Sequence, residues 1–238
     1  VENKSTDQDT VETIMGEFID RCDEYLICLT FAAKGVYAEG KKLKTHGVTK
    51  GQQFWIASDT ASPNPKFHAR MDASEFIKKS KKDGHFSNEL SKALLCLIYS
   101  MWDEIYRHRV AASANADAAN IISPLMGDLR KIRHCILHNK SNIPEKGIEF
   151  EVLTWPRTPG KLNITADMFL ELNDIIRRNI NISAYRLNPE VEKIYQQMTA
   201  KEKKSFDAWY KIPGNKQNNI PWPDLNKVIT RINEGVKP

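Results

Sequence analysis

The segment Ser123–Asn139, SPLMGDLRKIRHCILHN, constrains this chain more than any other. Ser123 is a good N-cap because its hydroxyl accepts a free backbone N–H, and Pro124 occupies the first helical position, where a missing N–H costs nothing. Leu125, Leu129, Ile132 and Ile136 then recur at steps of four, three and four, which draws one apolar stripe along a helix. Against the stripe stand Asp128, Arg130, Lys131, Arg133, His134 and His138. Asn139 is predicted to end the helix, since Asn tolerates the left-handed backbone that closes helices. The result is a core helix whose C-terminal end is crowded with cationic and imidazole side chains.

The flanking sequence predicts a mainly α protein. A long amphipathic helix is expected from about residue 7 to Ala33, through Val11, Ile14, Met15, Phe18, Ile19, Cys22, Leu26 and Leu29. Its polar face holds Glu17, Asp20, Asp23 and Glu24, which reads as a solvated face. Gly40, Gly47 and Gly51 are predicted to break regular structure, so 41–85 reads as an insertion. Within it, Asp72 and Glu75 predict a capped short helix around Phe76, and Lys78, Lys79, Lys81 and Lys82 form a basic run suited to phosphate contacts.

A second core helix is expected over Phe86–Ala112 with Ser87 as its cap, and its polar end carries Glu104, Arg107 and His108. After the central helix, Gly147–Trp155 alternates like a strand and Lys161–Ile164 reads as its partner, a short β excursion. Thr165 caps a third long helix. Residues 188–238 read as a helical extension packed on the main domain of residues 7–187. In that extension Pro189 opens one helix, Thr199 and Glu202 form a capping box, and a Pro/Asn/Gly-rich stretch precedes a last helix from Asp224. Burial is the expected use of Trp209 and Trp222, although aromatic rings of this kind also stack on bases.

Composition narrows the function. No apolar run approaches the roughly 18 residues that span a bilayer, and there is no basic-then-apolar leader, so a cytoplasmic protein without membrane contact is expected. Val1 in place of Met reads as a chain processed or cut from a longer one. The four cysteines, Cys22, Cys28, Cys96 and Cys135, lie in helical contexts without a CxxC pair and read as buried, reduced thiols rather than a zinc site. Residues 1–40 hold three Lys/Arg against nine Asp/Glu, and residues 41–238 hold thirty-two against twenty-one. A basic body of this kind suits a polyanionic partner, nucleic acid being the commonest.

The central helix carries residue types that suit RNA cleavage. A neutral imidazole takes the proton from a ribose 2′-OH near physiological pH. A guanidinium holds a non-bridging phosphate oxygen and stabilises the charge growing there. The 2′-OH is then the nucleophile, no metal or cofactor is required, and the products are a 2′,3′-cyclic phosphate and a 5′-hydroxyl. Five positions at about 100° each set Arg133 and His138 about 140° apart around the axis. Either the last turn loosens, or two copies of the helix share one site. A purely structural reading pairs Arg133 with Asp128 and leaves His138 to the helix dipole. A two-His metal site from His134 and His138 is a weaker reading, because HExxH would need Glu where Cys135 stands.

Arg133-His134-Cys135-Ile136-Leu137-His138-Asn139 resembles the signature helix of the HEPN family (higher eukaryotes and prokaryotes nucleotide-binding domain), whose ribonuclease members carry Arg, four to six residues, then His. The resemblance covers about residues 7–187 and implies a helical bundle that dimerises through the motif helices, with a short β-hairpin after them. It implies a metal-independent endoribonuclease, as a toxin or antiphage effector restrained by an antitoxin or regulatory partner. Arg133, His138 and His134 would be catalytic. Asn139, Asp128, Glu104 and Arg107 would support the site, and Lys78, Lys79, Lys81, Lys82, Arg130, Lys131 and Lys140 would hold RNA. The alternative within the same family is a non-catalytic dimerisation or nucleotide-sensing module.

Overall fold

The computed structural model describes residues 10–48, 51–155, 157–180, 182–184, 189–210 and 222–234, and the chain is mainly α. Two compact units follow one another, Val1–Ala184 and Tyr185–Pro238. The Pro/Asn/Gly-rich stretch from residue 211 to 221, and residue 7, where the first helix is expected to begin, lie outside the described residues.

The first unit opens with α1 (Val11–Thr45), capped by the Thr10 hydroxyl, which accepts the Thr13 N–H. The helix does not stop near Ala33. It passes through Gly40, a buried position where an added Cβ would lie 2.7 Å from Ser80 Cβ, so glycine there serves a close helix crossing rather than a break. An antiparallel hairpin follows, β1 (Gln53–Ser58) with β2 (Lys66–Asp72), carrying a bulge after Ile56. Sequence periodicity left this hairpin unread, because most of both strands is exposed and lacks the alternation that marks a buried face. Asp72 then caps α2 (Ala73–Lys79), as predicted, accepting the N–H groups of Ser74 and Glu75.

α3 (His85–Met101) continues through a π-helical turn, Trp102–Tyr106, into α4 (Arg107–Ser113). Its N-cap is Gly84 rather than Ser87, whose hydroxyl instead donates to the Gly84 carbonyl. Trp102 and Tyr106 meet Phe18 edge-on at 5.7 and 5.1 Å, pinning the turn to α1. Such pairs contribute about 1 kcal/mol each beyond simple burial.

The acidic face of α1 is a set of latches. Glu17 pairs with Arg109 of α4, and Asp23 accepts from Asn173 at 2.8 Å and from Arg177. Asn173 and Arg177 belong to α6 (Ala166–Asn179), which Thr165 caps as predicted.

Between α4 and α6 lies α5 (Pro124–His138), preceded by β3 (Ile121–Ile122), which pairs with β6 (Ser183–Ala184). Leu125, Leu129 and Ile132 of the expected stripe are buried in the core shared by α1, α3, α4 and α6, while Ile136 is partly buried beside it. The β excursion after α5 is smaller than expected: β4 (Asn142–Ile143) pairs with β5 (Gly160–Lys161), and Gly147–Trp155 forms no strand. Ile148, Phe150, Leu153 and Trp155 do point inward, but the step of three between Phe150 and Leu153 breaks the period of a strand. Their neighbouring backbone groups bond to a side chain instead of a ladder, as described below.

The second unit has its own small core. Met198, Phe206, Trp222 and Val228 are buried across α7 (Pro189–Gln196), α8 (Ala200–Tyr210) and α9 (Leu225–Asn233), with Trp209 packed against them. The capping box forms: the Thr199 N–H donates to Glu202 at 2.7 Å and the Glu202 N–H to the Thr199 hydroxyl at 3.2 Å. Trp222 is therefore a core residue rather than a stacking platform.

Candidate functional site

α5 runs back antiparallel along α3, because the connection through β3 returns the chain beside α4. The first half of α5 is committed to the fold. Ser123 caps the helix weakly, its hydroxyl accepting the Met126 N–H at 3.5 Å. Asp128 is fully buried and does not pair with Arg133. Its carboxylate accepts the N–H groups of Glu151 (3.0 Å to each oxygen), Val152 (2.8 Å) and Leu153 (3.1 Å), with Lys131 Nζ at 3.2 Å. Buried backbone donors need partners, and one carboxylate here replaces a strand edge. Lys131 also donates to the Glu149 carbonyl at 2.7 Å, so its ammonium holds the same loop. Asp128 and Lys131 together anchor the loop at 149–153 to α5.

The second half is different. α5 is unbroken through His138, so the last turn does not loosen and Arg133 and His138 remain about 140° apart. His134 and His138 are both exposed, one turn apart, with ring centroids 4.8 Å from each other. Arg133 leans the other way, its guanidinium 5.5 Å from the centroid of the Tyr99 ring on α3, in cation–π range. The Arg133 Nε is buried with no hydrogen-bond partner. One chain therefore does not bring Arg133 and His138 together.

Tyr99 is the residue that sequence reasoning missed. It is largely buried, and burial raises its phenol above the ordinary range. Asp103 pushes the same way, while Arg130, Arg107 and Arg133 pull it down. Of the three, Arg133 is the one that lies over the ring. Arg107 is already engaged, donating to Asp103 at 2.8 Å and to the Ala118 carbonyl at 2.7 Å. Arg130 and Arg133 have no carboxylate partner among the described residues, which leaves them available to an anion. Tyr99, Asp103 and Arg107 recur at steps of four, a spacing that could have marked this polar edge of the rod. Glu104 is exposed, and Arg107 pairs with Asp103.

The helix end departs from expectation. Asn139 is not left-handed (φ −112°); Lys140 (φ 52°) and Ser141 (φ 58°) are, and the Ser141 N–H reaches back to the Cys135 carbonyl at 3.0 Å. Burial pushes the Cys135 thiol up, and the neighbouring Asn139 side chain pulls against that push. Of the four cysteines, Cys22 and Cys135 are buried, Cys96 is half-buried and Cys28 is exposed.

The remaining basic residues fall in two places. Lys140 is exposed at the end of α5. Lys79 is held by Glu75 at 2.6 Å, Lys82 is exposed, and Lys78 and Lys81 line a cleft against α1. Among the described residues no group of three or more His, Cys, Asp or Glu is placed to hold a metal, and no helix is long and apolar enough to cross a membrane. Comparison with protein-family models, with curated proteins and with solved structures gives no match in any of the three.

Proposed function

We propose that this protein is a metal-independent endoribonuclease of HEPN type, acting as a homodimer in which two copies of α5 form one cleft. One observation carries the reading: α5 stays helical through His138, leaving Arg133 and His138 on divergent faces with polar groups to spare. Side chains that cannot meet within a chain can meet across a two-fold axis. In the composite cleft His138 of one chain takes the 2′-OH proton, and Arg133 of the other, with Arg130 beside it, holds the scissile phosphate. His134, whose ring centroid is 4.8 Å from that of His138, protonates the departing 5′ oxygen. Lys140 contacts the flanking strand. The products are a 2′,3′-cyclic phosphate and a 5′-hydroxyl.

A cytoplasmic ribonuclease of this kind would harm its own cell, so a toxin or antiphage effector held by an antitoxin or regulatory partner is the biological setting that fits. The test is RNA cleavage in the presence of a chelator by wild type, His138→Ala and Arg133→Ala, with folding and oligomeric state measured alongside. Each variant should lose about 10²- to 10⁴-fold in rate. Absence of cleavage of any RNA by wild type, or cleavage that the chelator abolishes, overturns the proposal.

A further inference from the structure

The C-terminal ends of α1 and α2 enclose an open cleft of about 700 Å³, within the size range of small-molecule sites. Its position follows from the Gly40–Ser80 contact, where the missing Cβ lets the two helices approach. Four lysines line the cleft, Lys41 and Lys44 from α1 with Lys78 and Lys81 from α2 and its end. None of the four has a carboxylate partner among the described residues, whereas their neighbours Lys42 and Lys79 pair with Glu39 and Glu75. Lysine in a last helical turn is ordinary, since it complements the helix dipole. The dipole does not explain four unpaired ammonium groups facing one space. Ammonium groups gathered in this way repel one another, and a multivalent anion turns that repulsion into binding. Hydroxyls from Ser74 and Thr45 join the lining, and Tyr37, 49% exposed, adds an aromatic face.

We propose that this cleft binds a run of phosphate groups carrying a nucleobase, with the lysines on the phosphates and the base against Tyr37. Consecutive phosphates of this kind occur in a single RNA strand and in a free nucleoside triphosphate. Lys78 and Lys81 are among the residues that the nuclease reading expects to hold RNA, so the strand arm rests in part on that reading, while a test of binding rather than cleavage lets the two fail separately.

The experiment uses the full chain carrying His138→Ala, so that no RNA probe is cut. Three probes are titrated by calorimetry and fluorescence anisotropy: inorganic triphosphate, ATP and a labelled oligouridylate. Binding of at least one probe is expected at about 10⁻⁴ M or tighter in low salt, with log K falling against log salt for the strand at a slope of about −3 for four contacts. Replacing Lys41, Lys44, Lys78 and Lys81 together by Gln should weaken binding at least tenfold and flatten that slope. Melting should be unchanged, because all four side chains are exposed. The control Lys201→Gln/Lys204→Gln, in the second unit, should bind as its parent does. Tyr37→Ala should weaken ATP and the strand about tenfold and leave triphosphate unchanged. Binding of ATP as tight as the strand identifies a free nucleotide as the source, and binding of the strand alone identifies RNA. No binding of any probe, or affinity unchanged by the four substitutions, overturns the proposal. Equal weakening of all three probes by Tyr37→Ala overturns the placement of the base.

Discussion

The two halves of α5 obey opposite rules. From Ser123 to Ile132 the polar groups that face inward are answered by the fold: the Ser123 hydroxyl caps the helix and Asp128 collects three backbone N–H groups from the loop at 151–153. From Arg133 to Ser141 the polar groups are left over, with an unpartnered Arg133 Nε, two exposed imidazoles, and two consecutive residues with positive φ. Folding selects for the first arrangement and gains nothing from the second. Groups that the fold leaves unpaired at the end of a well-anchored helix are where a function is best sought.

The largest expected effect tests whether the second half works across two chains. If each cleft pairs Arg133 of one chain with His138 of the other, a mixture of the two inactive proteins, Arg133→Ala and His138→Ala, contains heterodimers with one intact pair. After random exchange about half the dimers are mixed, and cleavage should return to about a quarter of the wild-type rate. A mixture as inactive as its parents would place Arg133 and His138 of the same chain in each site and break the contrast drawn here.

The first half is tested by Asp128→Ala. This change strands the N–H groups of Glu151, Val152 and Leu153 in the interior and should cost about 3–5 kcal/mol in denaturant unfolding. Arg133→Ala, one turn and a half further on, removes a cation–π contact and should cost about 1 kcal/mol or less. Similar losses from the two substitutions would mean that both halves serve the fold alike.

What could be read in advance follows the same division. Caps and apolar stripes are local, so Thr165, Asp72, the Thr199–Glu202 box and the buried face of α5 were legible from the sequence. The 148–155 loop was legible only by half. Its alternation marked Ile148 and Phe150 as inward, but a carboxylate twenty-three residues upstream, not a strand, answers its backbone, and no local pattern announces that. Gly40 misled for a related reason. Glycine lowers helix propensity, yet here it serves a crossing with Ser80 that only the tertiary structure supplies, and with it the helical placement of Lys41 and Lys44 went unread. The residues of the motif could be named from sequence, but Tyr99, beneath Arg133, could not be paired with it before the helices were packed.

Thiol chemistry sharpens the boundary between buried and spare groups. Burial pushes the Cys22 thiol up to about 12 and raises Cys135 as well, so both favour the protonated form when folded. A group whose folded value is raised stabilises the fold fully below its unfolded value and loses that contribution as pH climbs. Stability should therefore decline between about pH 9 and 12, and Cys22→Ala should flatten the decline. Under native conditions a thiol reagent should modify the exposed Cys28 first and Cys135 far more slowly.

The smallest expected effect lies at the end of the helix. Ser141 holds φ 58°, a conformation that costs an L-residue about 1 kcal/mol and glycine almost nothing. Its backbone N–H donates to the Cys135 carbonyl and its carbonyl accepts the Leu162 N–H, both of which glycine keeps. Ser141→Gly should therefore stabilise the fold by up to about 1 kcal/mol, less what the more flexible unfolded chain takes back. If the left-handed pair Lys140–Ser141 only terminates α5, cleavage should be unchanged. If it holds His138 and Lys140 in the geometry the cleft needs, the same variant should melt higher and cleave more slowly, the sign pattern expected of strain kept for function rather than for the fold.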